Sequence, residues 1–235
     1  MLNAVIFDLD GVVADSHPIH EVAWKSLLAE AGLNLDSINV DFLYAGHPRR
    51  EILRHYLGPL SDSEIQHWGR RKDELYELAA KNLQAKPGIP EALLQLRDAG
   101  IPCALATSAG RKRTLESLHL LGVREYFSIV ITGDDIHNPK PAPDIFLLAA
   151  QELNVKPQDA VVVEDSVAGV RAAIAGGMKC VGYTSEERAA ELRRAGADVV
   201  VAELPEDAVG YFRAVVSSRD LSTAASGKQI YRQGR

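Results

Sequence analysis

The chain has 235 residues, of which 46% are hydrophobic and 25% charged, and its formal net charge is −6. This is the balance of a soluble globular protein, with room for one large domain or one domain carrying an insert. The negative charge argues against a nucleic-acid partner, which usually meets a basic face. No run reaches the roughly 18 apolar residues of a membrane span. The N-terminus has no basic stretch leading into a long apolar one, so the expected location is the cytoplasm. Cys103 and Cys180 sit in apolar segments and are expected as two buried, reduced thiols.

In chain order, the first element is the apolar run AVIFDLD at residues 4–10, which reads as a strand. Residues 16–85 then show only helical periodicity, at 18–31, 48–57 and 61–83, with Gly32 and Gly58 as stops. From there strands and helices alternate. A helix at 90–99 ends at Gly100, and CALATS follows at 103–108. A helix at 111–121 ends at Gly122, and SIVITG follows at 128–133. A helix at 143–153 leads to DAVVVED at 159–165. A helix at 166–175 ends at Gly176-Gly177, and KCVGYT follows at 179–184. A helix at 186–195 ends at Gly196 before DVVVAE at 198–203. Glycine just past the last turn is the expected stop signal.

The strands are rich in Val and Ile and lack alternation, as parallel strands covered on both faces do. The expected fold class is therefore α/β, a doubly wound parallel sheet of Rossmann-like type, with a small α-helical domain inserted after the first strand. The expected domains are 1–15 with 87–217 as the core and 16–86 as the helical insert, joined by hinges at residues 15–18 and 86–88. Residues 218–235 carry four basic side chains and one acidic, a net of +3, and read as a tail outside the fold.

Asp8 and Asp10 end the first strand, and residues i and i+2 of a strand point to the same side. That edge of an open α/β sheet is where ligands bind. Two close carboxylates repel and need a proton, a cation or a fixed donor between them. The bland alternative is that one or both begin a turn or cap a helix. A second acidic pair, Glu164-Asp165, ends another strand, with Ser166 as the expected N-cap of the next helix. Hard oxygen ligands gathered in this way suit Mg²⁺, which also takes phosphate oxygens and water.

Two further elements suit an anionic phosphate. Thr107-Ser108 end the strand CALAT just before a helix, where hydroxyls and backbone N–H groups can hold an anion. As single residues they read equally as turn and cap. Lys140 stands between prolines in NPKPAPD, stiffened there, although a lone loop lysine is normally solvated.

Taken together, VIFDLDGVVADS, LATS, KPAPD and VVVEDS resemble, in this order, the four motifs of the haloacid dehalogenase superfamily of phosphotransferases. The helical insert after the first motif is similar to that of the subfamily with a small helical cap, which holds sugar-phosphate phosphatases and β-phosphoglucomutase. The resemblance spans residues 4–201. It implies Asp8 as nucleophile, Asp10 as general acid/base, Thr107 as a hydrogen-bond donor to the phosphoryl group and Lys140 as its charge partner. It implies Mg²⁺ held by Asp8, the backbone carbonyl of Asp10 and Asp165, with Glu164 binding directly or through water. A single aspartate stands in dehalogenases where this chain has DLD, which argues against dehalogenation.

In the cap the resemblance implies substrate contacts from His20, Gly46, Arg49 and Lys72, with Ser108 added from the core. The arginine would grip the second phosphate of a sugar bisphosphate, a task suited to a guanidinium. Plainer readings stand beside these. Arg49 and Arg50 supply the polar face of a helix, Lys72 lies in the charge run RRKDE, His20 packs near the hinge, and Trp24 belongs to the cap core. Ala109, Ser16 and His47-Pro48 depart from the mutase pattern. The expected activity is an Mg²⁺-dependent phosphohydrolase on a small phosphorylated metabolite, a sugar phosphate. A β-phosphoglucomutase-like mutase is the alternative, and a non-catalytic binding protein a remote one. A dinucleotide enzyme would need Gly-x-Gly-x-x-Gly, which DLDGVV does not supply. The sequence does not fix the oligomeric state, and a monomer is compatible with it.

Overall fold

A computed structural model describes residues 1–35, 39, 41–43 and 49–217 of the chain. The residues divide into two compact units, Met1–Asp15 with Gln84–Arg235, and Ser16–Leu83. The expected tail at 218–235 lies outside the described residues.

The first unit is built on six parallel strands: β1 (Ala4–Phe7), β2 (Cys103–Ala106), β3 (Phe127–Ile131), β4 (Ala160–Glu164), β5 (Lys179–Tyr183) and β6 (Val199–Val201). Their order in the sheet is β3-β2-β1-β4-β5-β6. The chain thus winds outward from β1 in both directions, and the direction reverses between β2 and β4. That switch point opens a crevice beyond the carboxyl ends of β1, β2 and β4. The register is set by pairs such as Ile6 with Ala104 on one side and with Val162 on the other.

All six expected strands form, each shorter at its polar end than the apolar run suggested. Every residue of β1, β2 and β4 is buried. One face of the sheet packs Ile6, Ala104 and Val162 against Phe146 of α6 (Asp144–Glu152) and Val170 and Ala173 of α7 (Val167–Ala175). On the other face, the Phe7 ring meets Phe127 at 6.1 Å and Phe212 at 6.3 Å, both edge to face. Phe212 lies on α9 (Ala208–Ser217), a helix that the sequence pattern did not reveal. Helices α4 (Ile89–Asp98), α5 (Arg111–Leu120) and α8 (Glu186–Ala195) complete the unit. The segments leading out of and back into this unit are tied together. Ala14 and Ala85 form an antiparallel bridge, the Asp15 N–H donates to Gln84 O at 2.8 Å, and the Lys86 N–H donates to Val13 O at 3.0 Å.

The second unit is helical: α1 (His17–Glu30), α2 (Arg49–Leu57) and α3 (Asp62–Ala79), the last followed by a 3-10 turn at Ala80–Asn82. The stretch expected as one helix over 61–83 thus ends at residue 79. Ser61 starts α3 with a capping box, its hydroxyl accepting from the Glu64 N–H while the Glu64 carboxylate accepts from the Ser61 N–H. The apolar stripes of the helices meet in a core of Trp24, Leu27, Leu28, Leu53, Leu75 and Tyr76. Arg71 of α3 clasps Glu30 of α1 through two bonds of 2.7 Å.

Candidate active site

Asp8 follows directly on β1. Its N–H donates to Val163 O of β4 at 3.0 Å, so the backbone is still held by the sheet when the side chain emerges. One Asp8 oxygen accepts from Lys140 Nζ at 2.6 Å. The same ammonium donates to Glu164 Oε1 at 2.8 Å and to Ala106 O at 3.2 Å, and it lies 4.6 Å from the centre of the Phe146 ring. All three lysine donors are therefore directed at acceptors. Only 6% of the Lys140 side chain is exposed, and 1% of Glu164.

Glu164 was expected among the metal ligands. Here its second oxygen accepts from the Ser166 N–H at 2.7 Å, so both its oxygens have protein donors. Ser166 in turn caps α7, its hydroxyl accepting from the Gly169 N–H at 3.0 Å. The Glu164 carboxylate lies flat on the first turn of that helix. A Cβ at position 169 would fall 1.7 Å from Glu164 Oε1, so only glycine allows the approach.

The charges explain one another. Burial pushes the Asp8 carboxyl well above its ordinary range; Lys140 pulls it down, and Glu164, Asp165 and Asp10 push it up again. Burial also works against the Lys140 ammonium, but Asp8 and Glu164 outweigh it and keep the lysine charged. Asp165 is buried as well. Four carboxylates thus meet at one sheet edge with an excess of negative charge, which is the chemistry of a cation site. Among the described residues no three His, Cys, Asp or Glu side chains gather into a ready-made metal cage.

Asp10 lies in the turn after β1, where Gly11 takes φ +78°. Its carboxylate is gripped by Arg113 of α5, Oδ1 at 2.9 Å from Nη1 and Oδ2 at 2.6 Å from Nη2. Sequence reasoning missed Arg113, which sits in the run RKR and reads there as a surface charge. Thr107 is buried at the end of β2, with its hydroxyl accepting from the Ala109 N–H at 3.1 Å. Ser108 beside it is exposed. The structure thus gathers Asp8, Asp10, Lys140, Glu164 and Asp165 in one unit, with Thr107 at the neighbouring strand end.

In the helical unit, Lys72 is 4% exposed, so the solvated reading of RRKDE does not hold for it. Its Nζ lies 2.6 Å from His20 Nδ1, 5.0 Å from the Tyr76 ring centre and 5.7 Å from that of Trp24. The His20 ring itself packs 4.6 Å from that of Tyr76. Arg49 is turned onto Asp73, with bonds of 2.9 and 2.6 Å, and its Nη1 also donates to Gly69 O at 3.3 Å. Gly46 lies outside the described residues. Both cysteines are free and buried, and burial pushes the Cys103 thiol up to about 12. Among the described residues no helix is long and apolar enough to cross a membrane.

A doubly wound parallel sheet with an acidic pair at two strand ends defines a class of α/β enzyme. Within that class, the haloacid dehalogenase-like hydrolase family matches residues 5–183, and the chain belongs to it. A phosphorylated carbohydrates phosphatase of Thermotoga maritima is 35% identical over 180 residues, covering 76% of this chain and 83% of that protein. The β-phosphoglucomutase of Bacillus subtilis is 32% identical over 209 residues, covering 85% and 89%. The crystal structure of a β-phosphoglucomutase from Clostridium difficile superposes with a TM-score of 0.78 at 28% identity, covering 92% of this chain and 97% of that one.

Proposed function

We propose that this chain is an Mg²⁺-dependent phosphatase for a small phosphorylated metabolite, a sugar phosphate, acting through an aspartyl phosphate on Asp8. The observation that carries the reading is the buried Asp8 carboxylate at a strand end, with Lys140 on one oxygen and Glu164 behind that lysine. An anionic nucleophile must approach an anionic phosphate, so fixed positive charge is needed beside it. An Asp8 oxygen forms the new bond to phosphorus as the ester bond breaks. Asp10 gives a proton to the leaving oxygen, then takes one from the water that cleaves the aspartyl phosphate. Thr107 donates to a phosphoryl oxygen, and Lys140 balances its charge. Asp8, Asp165 and the Asp10 carbonyl would hold Mg²⁺, with Glu164 behind them on Lys140, and the ion would supply Lewis-acid stabilisation of the phosphoryl oxygens. Ser108, His20, Gly46, Arg49 and Lys72 belong to this reading as substrate contacts.

Relatives of both kinds, a phosphatase and a mutase, match this chain. The departures from the mutase pattern at Ala109, Ser16 and His47-Pro48 favour the phosphatase. Arg49 is held by an exposed pair with Asp73 that a phosphate can displace. The test is phosphate release from p-nitrophenyl phosphate and a sugar-phosphate panel, with Mg²⁺ and with EDTA. Metal-dependent hydrolysis that Asp8→Asn abolishes while the fold persists is the expected result. Hydrolysis of none of these compounds would sink the reading, and rapid conversion of β-glucose 1-phosphate to glucose 6-phosphate would replace it with the mutase.

A further inference from the structure

Three consecutive cations, Arg111, Lys112 and Arg113, open α5, whose first turn contains no acid. Cations at a helix N-terminus oppose the macrodipole, so each needs a compensating partner. Two of them find theirs away from the strand-end carboxylates. Arg111 pairs with Asp135, and its N–H donates to Asp134 Oδ2 at 2.8 Å. Lys112 lies 3.8 Å from Glu116, one turn along the helix. Arg113 instead reaches Asp10, 103 residues earlier in the chain. A residue that breaks a local rule and finds its compensation at a reactive carboxylate is a candidate for a role there.

The geometry of that contact is specific. The guanidinium meets the carboxylate as a fork, one nitrogen to each oxygen, and fixes the plane of the carboxylate as well as its position. The side chains are 19% and 26% exposed, so the pair is part-buried. Arg113 is presented by a firmly seated helix. Thr114, Ser117 and Leu118 of α5 are buried, and the Thr114 hydroxyl donates to Gly110 O at 3.0 Å. On the other side the Asp10 backbone is held in the turn that Gly11 closes, where the Gly11 N–H donates to Ala14 O at 2.9 Å and Asp10 bridges to Ala14. With both frames fixed, the remaining freedom of Asp10 is side-chain rotation, and the fork removes it. The two strand-end aspartates are therefore oriented by different cations, Asp8 by Lys140 and Asp10 by Arg113.

We infer that Arg113 is a positioning residue for Asp10, holding its carboxylate in the orientation from which it exchanges a proton with the leaving oxygen through a lone pair that the fork leaves free. The inference rests on the phosphatase reading above, in which Asp10 handles that proton.

The full-length chain with Mg²⁺ is assayed on two esters of similar shape, p-nitrophenyl phosphate and phenyl phosphate. The nitrophenolate leaves without a proton, whereas phenolate leaves poorly unless one is supplied. Arg113→Ala is expected to lower kcat/KM for phenyl phosphate by about tenfold relative to that for p-nitrophenyl phosphate, with KM little changed. Added guanidinium ion at low, non-denaturing concentration is expected to restore part of the loss. Arg113→Lys, which keeps the charge without the fork, is expected to fall between wild type and Arg113→Ala. In an Asp10→Asn background, Arg113→Ala is expected to cost nothing further, because both changes remove one function. Equal losses on the two esters, an undiminished loss in the Asp10→Asn background, or a faster enzyme would each overturn the inference while leaving the phosphatase reading intact. A wild-type chain that hydrolyses neither ester nor any sugar phosphate would overturn both.

Discussion

The two units of this chain use charge differently. In the α/β unit one set of ionised groups is gathered at strand ends, Asp8 to Lys140 to Glu164 with Asp10 on Arg113, beside ordinary surface pairs such as Lys112 with Glu116. In the helical unit most ion pairs lie on the surface, between side chains of neighbouring helices. Arg49 with Asp73, Arg50 with Asp62 and Arg71 with Glu30 are all of this kind, whereas the buried Lys72 meets a second base, His20, through a hydrogen bond. The difference teaches where rigidity comes from. A strand end pinned by sheet hydrogen bonds can hold a carboxylate against its neighbours, and reaction chemistry needs that preorganisation. A helix surface pair is solvated, screened and adjustable.

The sharpest way to break this contrast is Lys140→Met. It leaves Asp8 and Glu164 facing each other without a cation, and removing one partner of a buried charge set costs about 3–5 kcal/mol. Urea unfolding is expected to show that loss along with the loss of phosphatase turnover, and an unchanged midpoint would mean that the set is not buried in solution. A smaller effect is expected from Gly169→Ala. Its methyl group overlaps the Glu164 carboxylate, so the carboxylate must swing off α7 at a cost of about 1–3 kcal/mol, and kcat falls as Lys140 loses its support. Activity and stability both unchanged would show that Glu164 does not need its seat on the helix.

The contrast is sharpened by pH. The Cys103 thiol is raised by burial from an ordinary value of 9 to about 12. Its protonated form is therefore favoured in the folded state. The corresponding stability is present below pH 9 and is lost as pH rises through about 12. Alkaline melting is expected to begin in the α/β unit, which holds both cysteines, and Cys103→Ala is expected to flatten the decline in Tm between pH 9 and 11. Decline of the same slope in that variant would count against it. The smallest effect is expected from Arg49→Ala. Its exposed pair with Asp73 contributes less than about 1 kcal/mol, so the urea midpoint is expected to move little, and KM for p-nitrophenyl phosphate not at all. A large rise in that KM would make Arg49 a substrate ligand.

Much of this was legible in one dimension because its causes are local. Six short runs rich in Val and Ile became six strands, buried throughout in β1, β2 and β4, because residues without alternation suit a sheet covered on both faces. Gly100, Gly122 and Gly196 end helices with positive φ, as their places after the last apolar turn imply. Ser166 caps α7 for the same local reason. Lys72 misled because RRKDE looks like a solvated face, although Leu75 and Tyr76, three and four residues on, share its buried side. Helix α9 gave little signal, because its stripe of Tyr211, Phe212 and Val215 follows an irregular stretch with no clear cap.

The sequence by itself determined the order of strands and helices, the interruption after the first strand, and the presence of two acidic pairs at strand ends. Each of these follows from residue type and spacing within about ten positions. The tertiary structure decided who meets whom. Lys140 bridges Asp8 and Glu164 across separations of 132 and 24 residues, and Arg113 reaches back 103 residues to Asp10. A charged side chain looks alike in sequence whether its partner is water or a buried carboxylate. Only the packing of α5, α7 and the Lys140 loop around one sheet edge removes the water and makes the choice.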